Sequence, residues 1–409
     1  MQIPDRRRAV WREPPMWLGA WALVLTWVLL SLCYGMDMTG HDPRDSFTLM
    51  ALAWRRGMLS LGQDYPWLEL AIFNGDWYVS FPSVPALVML PLTMVFGGDT
   101  PNTLMTGLYL LGSYFAAYAL ARRWRDQAHS AFMALFMTMG CSLLDFSLFG
   151  GVWNQAQLLS FFLTTCFALG ITSDAPCAWA AGLTCLALSV GCRPFQAVYV
   201  PFGLAYLYHN IRPKRQDAAH TLLAMLPHVV LPGLVALALG WYNWARFGNP
   251  LEFGHNYLPE FTRDPEKPQL AFKYMWPNLL NQFRLPQIVD RHIEFPRFEG
   301  WAFWLVDPMY TSAFVAGLIA LFRRRWDRWD TLLTLSFCAE IFLLLMHKTM
   351  GGWHFGARYL CDLIPMLMLF ELRNTDGAPV WETGIGILGI AVNIAGSFAF
   401  HLMEFGVWS

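Results

Sequence analysis

Pro82-Ser-Val-Pro-Ala-Leu-Val-Met-Leu-Pro-Leu-Thr-Met-Val-Phe96 is an apolar stretch whose reading sets the topology of everything after it. Pro82, Pro85 and Pro91 interrupt it. Proline removes a backbone donor and crowds the preceding turn, and lipid offers no water to satisfy the groups it frees. The stretch is therefore expected to be an interfacial or re-entrant helix, not a membrane span.

The positive-inside rule tests that choice. With the stretch left uncounted, Arg6–Arg8, Arg122–Arg125, Arg212–Arg215, Arg323–Arg325 and Arg373 all fall on one side. Counting it as a span moves every cluster from Arg122 onward to the opposite side. Spans are expected at Met16–Tyr34, Asn102–Ala121, Ser130–Phe149, Gln155–Ile171, Ala178–Gly191, Phe195–His209, Ala219–Trp241, Met309–Phe322, Thr331–His347, Tyr359–Leu372 and Thr383–Met403. Only the turn Asp174–Cys177, on the basic side, lacks a basic residue.

Composition agrees. The 409 residues are 56% hydrophobic and 14% charged, against about 25% charged in soluble domains. The expectation is an all-α integral membrane protein of about 11 transmembrane helices, one domain over residues 1–409. The net charge of −1 says nothing about partners, and no basic tract suggests nucleic acid. Most cysteines sit inside apolar runs, with no CxxC or Cys/His ligand spacing, which argues against zinc and against a disulfide framework. Arg6–Arg8 followed by an apolar run, with no small-x-small cleavage site, reads as a retained first span.

The larger loops opposite the basic side are then 35–101 and 242–308, with a short turn at 348–358. The first opens on Gly35-Met-Asp-Met-Thr-Gly-His-Asp-Pro-Arg-Asp45, which packs Asp37, Asp42 and Asp45 together. Phe47, Met50, Ala51 and Trp54 follow at helical spacing, with Gly57 as C-cap. Such a helix is expected to lie flat among the headgroups, its free amides capped by Asp45.

A charged side chain near the bilayer centre costs about 2.5–3.5 kcal/mol, so each one needs a reason. Asp145, Arg193, Glu340, Arg358 and Asp362 fall within or at the ends of spans. Local pairing, as of Arg358 with Asp362 one turn deeper, is one reason. A shared polar cavity opening toward the acidic loop is the other, and their common outward placement favours it. Gly351-Gly-Trp-His-Phe-Gly-Ala-Arg358 adds backbone that approaches a ligand closely, with His354 and Arg358 as cationic or donor groups. The planar fork of arginine suits phosphate oxygens.

The chain resembles the GT-C superfamily of polytopic glycosyltransferases, in the group of protein O-mannosyltransferases and lipid A aminoarabinose transferases. The resemblance covers nearly the whole chain. It rests on Asp45-Ser-Phe-Thr, Ala51-Leu-Ala-Trp54, Tyr78-Val-Ser-Phe-Pro-Ser-Val-Pro-Ala86, Gly151-Val-Trp-Asn-Gln155, Tyr242-Asn-Trp-Ala-Arg-Phe-Gly-Asn-Pro250 and Gly351-Gly-Trp-His-Phe-Gly-Ala-Arg-Tyr359, in that order.

The resemblance implies an inverting transferase that moves a sugar from a polyprenyl-phosphate-linked donor to an acceptor of the cell envelope. It places Asp45, Asp37 or Asp42, in that order, as the base that activates the acceptor. Arg358, then Arg193 and His354, would bind the lipid phosphate. Glu69 or Asp76 would supply a second carboxylate, and Trp153 and Gln155, at the outer mouth of a span, read equally as sugar contacts or as interfacial anchors. The paired Asp-Glu of protein mannosyltransferases is absent. No cofactor is required, although the Asp-rich loop has the composition to bind a divalent metal weakly. The implied location is the plasma (inner) membrane, with a cytoplasmic N-terminus and an extracytoplasmic site. A transporter or flippase of the same lipid-linked sugar is the alternative.

Overall fold

A computed structural model describes residues 10–212, 217–263, 266–289 and 292–404. The basic residues at 6–8 and 214–215, and positions 264–265 and 290–291 of the second large loop, lie outside the described residues.

In chain order the helices are α1 (Pro14–Cys33), α2 (Ser46–Arg55), α3 (Val84–Phe96), α4 (Asn102–Ala121), α5 (Gln127–Met139) and α6 (Leu143–Phe146). They continue as α7 (Val152–Ile171), α8 (Pro176–Val190), α9 (Val200–Ile211), α10 (Ala218–Phe247), α11 (Pro259–Thr262) and α12 (Met275–Asn281). The last are α13 (Phe303–Val306), α14 (Met309–Phe322), α15 (Arg328–Leu345), α16 (Ile364–Asn374) and α17 (Val380–Glu404). Two antiparallel hairpins interrupt them, β1 (Leu70–Phe73) with β2 (Asp76–Val79), and β3 (Gln287–Val289) with β4 (His292–Glu294).

Each expected span carries a helix, and the chain is a multi-pass membrane protein. Among the described residues, four helices are by length and composition long and apolar enough to cross a membrane: Pro14–Cys33, Asn102–Ala121, Ala218–Phe247 and Val380–Leu402. Others are shorter or broken. Ser130–Phe149 divides into α5 and α6 at Gly140. Phe195–His209 and Tyr359–Leu372 both open as 3₁₀ helix, over Pro194–Tyr199 and Arg358–Leu363. At 13 residues, α3 is about 20 Å long, short of the ~30 Å hydrocarbon core.

The described basic clusters gather at one end of the bundle. Arg122 pairs with Glu13 (2.7 Å), and Arg125 donates to the Thr375 carbonyl (2.9 Å). Arg373 pairs with Asp327 (2.9 Å), and Arg325 pairs with Asp376. Helix α7 gives the direction. Its first amide, Val152 N, donates to the Arg44 carbonyl in the first loop (3.0 Å), while Thr172 just past its end receives Arg123. The first loop and the arginines of the basic clusters therefore stand at opposite ends.

Helix α2 departs from the expected setting. Its face of Phe47, Met50 and Ala51 is fully buried, against α3 and a cluster that includes Val79 and Ala86. Trp54 Nε1 donates to the Tyr242 hydroxyl (2.9 Å), and Arg55 Nη1 to the Thr93 carbonyl (2.6 Å). The apolar stripe is real, but α3 covers it where lipid was expected. Gly57 (φ +72°) ends the helix as anticipated, donating to the Trp54 carbonyl (2.9 Å).

Candidate functional site

Two arginines meet at a cavity of about 310 Å³ on the first-loop side. Arg193 immediately precedes one 3₁₀ segment and Arg358 begins the other. Arg193 grips Asp362 with its fork, Nε and Nη2 each 2.8 Å from Oδ2. Gln157 steadies that carboxylate, Nε2 lying 3.1 Å from Oδ1, and the same amide donates to the Arg358 carbonyl. Arg193 thus has an acid partner. Arg358 does not.

The Arg358 side chain is 6% exposed, and its guanidinium has no hydrogen-bond or ion-pair partner among the described residues. It lies over Phe146 (4.7 Å to the ring centre) and Tyr359 (5.3 Å), and Arg193 lies 4.4 Å from that same Tyr359 ring. The Arg358 guanidinium is a cation at neutral pH. Gly351 makes room for it. With φ at +103°, a Cβ there would stand 2.6 Å from Arg358 Nε.

Trp153, Gln157, Tyr359, His255 and His347 also line this cavity. Trp153 and Gln157 are four apart on α7 and so share a face. Gln155 does not: its side chain is buried and donates to the Gly150 carbonyl (2.8 Å), tying down the first turn of α7. Beside the cavity runs an apolar groove of about 810 Å³ between α8, α9 and α10, and Leu251 and Phe253 line both.

The first-loop acids separate into different environments. Asp37 is exposed and closes a turn by accepting from Thr39 N (3.0 Å). Asp42 takes the Arg44 fork (Nε 2.9 Å, Nη2 2.8 Å). Burial pushes Asp42 up, but Arg44 and the Gly150 amide outweigh it and hold the carboxyl below its usual range. Asp45 is 1% exposed and caps α2, accepting from Phe47 N (2.8 Å), Thr48 N (3.3 Å), the Thr48 hydroxyl and Asn102 Nδ2 (3.1 Å). Burial raises its pKa against those donors.

Of the first-loop acids, Glu69, just before β1, is tied to the arginine cavity through Trp153. Trp153 Nε1 donates to its Oε2 (3.1 Å), and it lies within the field of Arg358. Although it keeps contact with solvent, the surrounding walls strip enough water to raise its pKa, with Trp153 and Arg358 pulling the other way. Asp76 heads β2 on the same hairpin.

The remaining polar groups go elsewhere. His354 is buried, donates from Nδ1 to the Gly352 carbonyl (3.0 Å), and is pushed down to about 3 by burial and by Arg358. It is a neutral prop of the glycine turn. Asp145 holds His401 (2.8 Å) and Ser397 (2.6 Å), and Glu340 accepts from Gln196 (2.9 Å). Pairing of Arg358 with Asp362 does not occur, because Asp362 is taken by Arg193.

Sequence reading missed Gln157, His255, His347 and Tyr359. For Gln157 the signal was present, since i+4 from Trp153 is the same-face position and i+2 is not.

The helical scaffold shares its fold with solved structures. Among solved structures the chain is similar to ArnT from Cupriavidus metallidurans bound to undecaprenyl phosphate, at 14% identity and a TM-score of 0.51. The match covers 92% of this chain and 62% of that one, so the chain spans about three fifths of its length. It is also similar to the Archaeoglobus fulgidus oligosaccharyltransferase in the apo form, at 10% identity and a TM-score of 0.49, over 94% of this chain and 56% of that one. No protein-family model and no curated protein matches the chain.

Proposed function

We propose that the chain moves a sugar from a polyprenyl-phosphate donor to an acceptor outside the membrane, with inversion at the anomeric carbon. The observation that carries this reading is Arg358, a buried guanidinium without an acid partner, in a cavity whose wall continues into an apolar groove. A buried unpaired charge is strongly unfavourable. A phosphate joined to a long apolar chain answers both the charge and the groove. The similar ArnT structure was bound to undecaprenyl phosphate, which is a lipid of that class.

In this scheme Arg358 receives the phosphate through its planar fork, and Arg193, partly neutralised by Asp362, supports it from beside the same Tyr359 ring. A first-loop carboxylate takes the proton of the acceptor hydroxyl. The acceptor oxygen then attacks the anomeric carbon, and the sugar–phosphate bond breaks with its electron pair left on the phosphate. The guanidinium groups stabilise that charge as it grows. They supply the positive charge themselves, so the scheme calls on no metal.

Glu69 is the base we assign, because its carboxylate lies within the field of Arg358 and pairs with no cation among the described residues, only with the Trp153 indole. Asp45 ranks next; to act it would have to release Thr48 and Asn102. Asp37 and Asp42 follow. The side bearing the cavity is assigned to the extracytoplasmic face of the plasma membrane.

The test is binding of undecaprenyl phosphate to purified protein. Arg358→Ala is expected to weaken it by about 10- to 100-fold, the loss of charged hydrogen bonds. Unchanged affinity would remove Arg358 from the phosphate site.

A further inference from the structure

The arginines occupy only part of the cavity. From Tyr359 the wall runs on to His347 (ring centres 5.7 Å apart) and from there to His255 (5.9 Å). His255 Nδ1 lies 3.3 Å from the Ser80 carbonyl, and His347 Nδ1 lies 2.7 Å from the Thr349 carbonyl. A carbonyl oxygen only accepts. His255 therefore carries its proton on Nδ1 and presents Nε2 as an acceptor, whereas His347 Nδ1 also takes the Thr349 amide (3.2 Å).

The neighbouring amides complete the pattern. Gln269 Nε2 lies 3.2 Å from His347 Nε2 and brings its side-chain amide to the cavity wall. Asn256 Nδ2 donates to Glu252 Oε2 (2.7 Å), which leaves Asn256 Oδ1 as an acceptor. Glu252 itself accepts from Gly254 N (2.7 Å). This wall offers an incoming ligand three acceptors, His255 Nε2, Asn256 Oδ1 and the Glu252 carboxylate, with the Gln269 amide beside them. Phe81 stands edge-on to His255 (5.7 Å), and Phe253 adds a second apolar surface to the cavity. Burial holds the His255 pKa below its usual value, so the ring stays neutral at physiological pH.

We infer that His255, Gln269, Asn256 and Glu252 form the subsite for the transferred sugar, and that it takes an uncharged, polyhydroxylated glycosyl group. Sugar hydroxyls donate to these acceptors, and the C–H face of the ring rests on the aromatic side chains. A sugar bearing a carboxylate would lose its hydration to a wall of acceptors and meet the charge of Glu252, which leaves the anion unsatisfied. The inference rests on the polyprenyl-phosphate reading of Arg358, and its test keeps the two apart.

The full-length protein in lipid nanodiscs is titrated with undecaprenyl phosphate, undecaprenyl-phosphate-linked glucose and undecaprenyl-phosphate-linked galacturonic acid. Wild-type protein is expected to bind the glucosyl lipid about tenfold more tightly than the galacturonyl lipid. His255→Ala and, independently, Gln269→Leu are each expected to weaken glucosyl-lipid binding about tenfold, the scale of one or two hydrogen bonds. Neither should change affinity for bare undecaprenyl phosphate by more than about twofold. Equal weakening of both lipids, no weakening of the glucosyl lipid in either variant, or a preference for the galacturonyl lipid overturns the subsite. Failure of wild-type protein to bind undecaprenyl phosphate overturns the phosphate reading, and the subsite with it.

Discussion

The difference between Arg193 and Arg358 is a difference of one carboxylate. Asp362 satisfies the first and leaves the second waiting for an anion. The adjacent acid, Glu69, is tuned from two directions: desolvation raises its pKa, while the Trp153 indole and Arg358 lower it. A general base works as the carboxylate. Transfer is therefore expected to fall as pH drops through a Glu69 pKa lying above the ordinary glutamate range. Trp153→Phe removes a donor that stabilises the carboxylate, so the acid limb of the rate–pH profile should move to higher pH. An acid limb that stays in place would separate Glu69 from the rate. The choice between Arg358 and Arg193 as partner of Asp362 was not legible from spacing. Four residues would share a face on an α-helix, but Arg358–Leu363 is 3₁₀ with three residues per turn, so Asp362 is rotated away. Arg193 reaches it from 169 positions off.

At the scale of elements, the first loop is a small packed structure and not a strap lying on lipid. The signals that mark α2 were complete: an aspartate before the first apolar position, a period of three and four, and glycine just past the end. They show which face is apolar. They do not show what covers it, because α3 lies some thirty residues on and its prolines give no pairing rule. Asp45 holds this unit together through its cap and through Asn102 of α4. Asp45→Ala is expected to cost about 1–3 kcal/mol, the loss of a cap plus donors left without an acceptor. Thermal unfolding of the purified protein measures it, and an unchanged midpoint would mean the cap carries no stability. Asp45→Asn keeps an oxygen for the α2 amides and should cost less.

For the whole molecule, the chain places a cavity with two guanidinium groups beside an apolar groove, at the end away from the described basic clusters. The helical segments and that separation were readable from hydropathy and arginine placement. Which charges converge was not, since the cavity draws on residues from Ser80 to Tyr359. A carrier of the same lipid would bind it in the same place without breaking it, so turnover is the decisive quantity. Purified protein is incubated with radiolabelled polyprenyl-phosphate sugars and an envelope extract as acceptor source, and free polyprenyl phosphate is measured. Wild-type protein is expected to release it with inversion of the transferred sugar. Glu69→Gln is expected to slow release by about 10²–10⁴-fold, while Asp45→Asn retains most of it. Undiminished release by Glu69→Gln together with its loss in Asp45→Asn would move the base to Asp45. Donor bound but never cleaved by the wild-type protein would contradict a transferase.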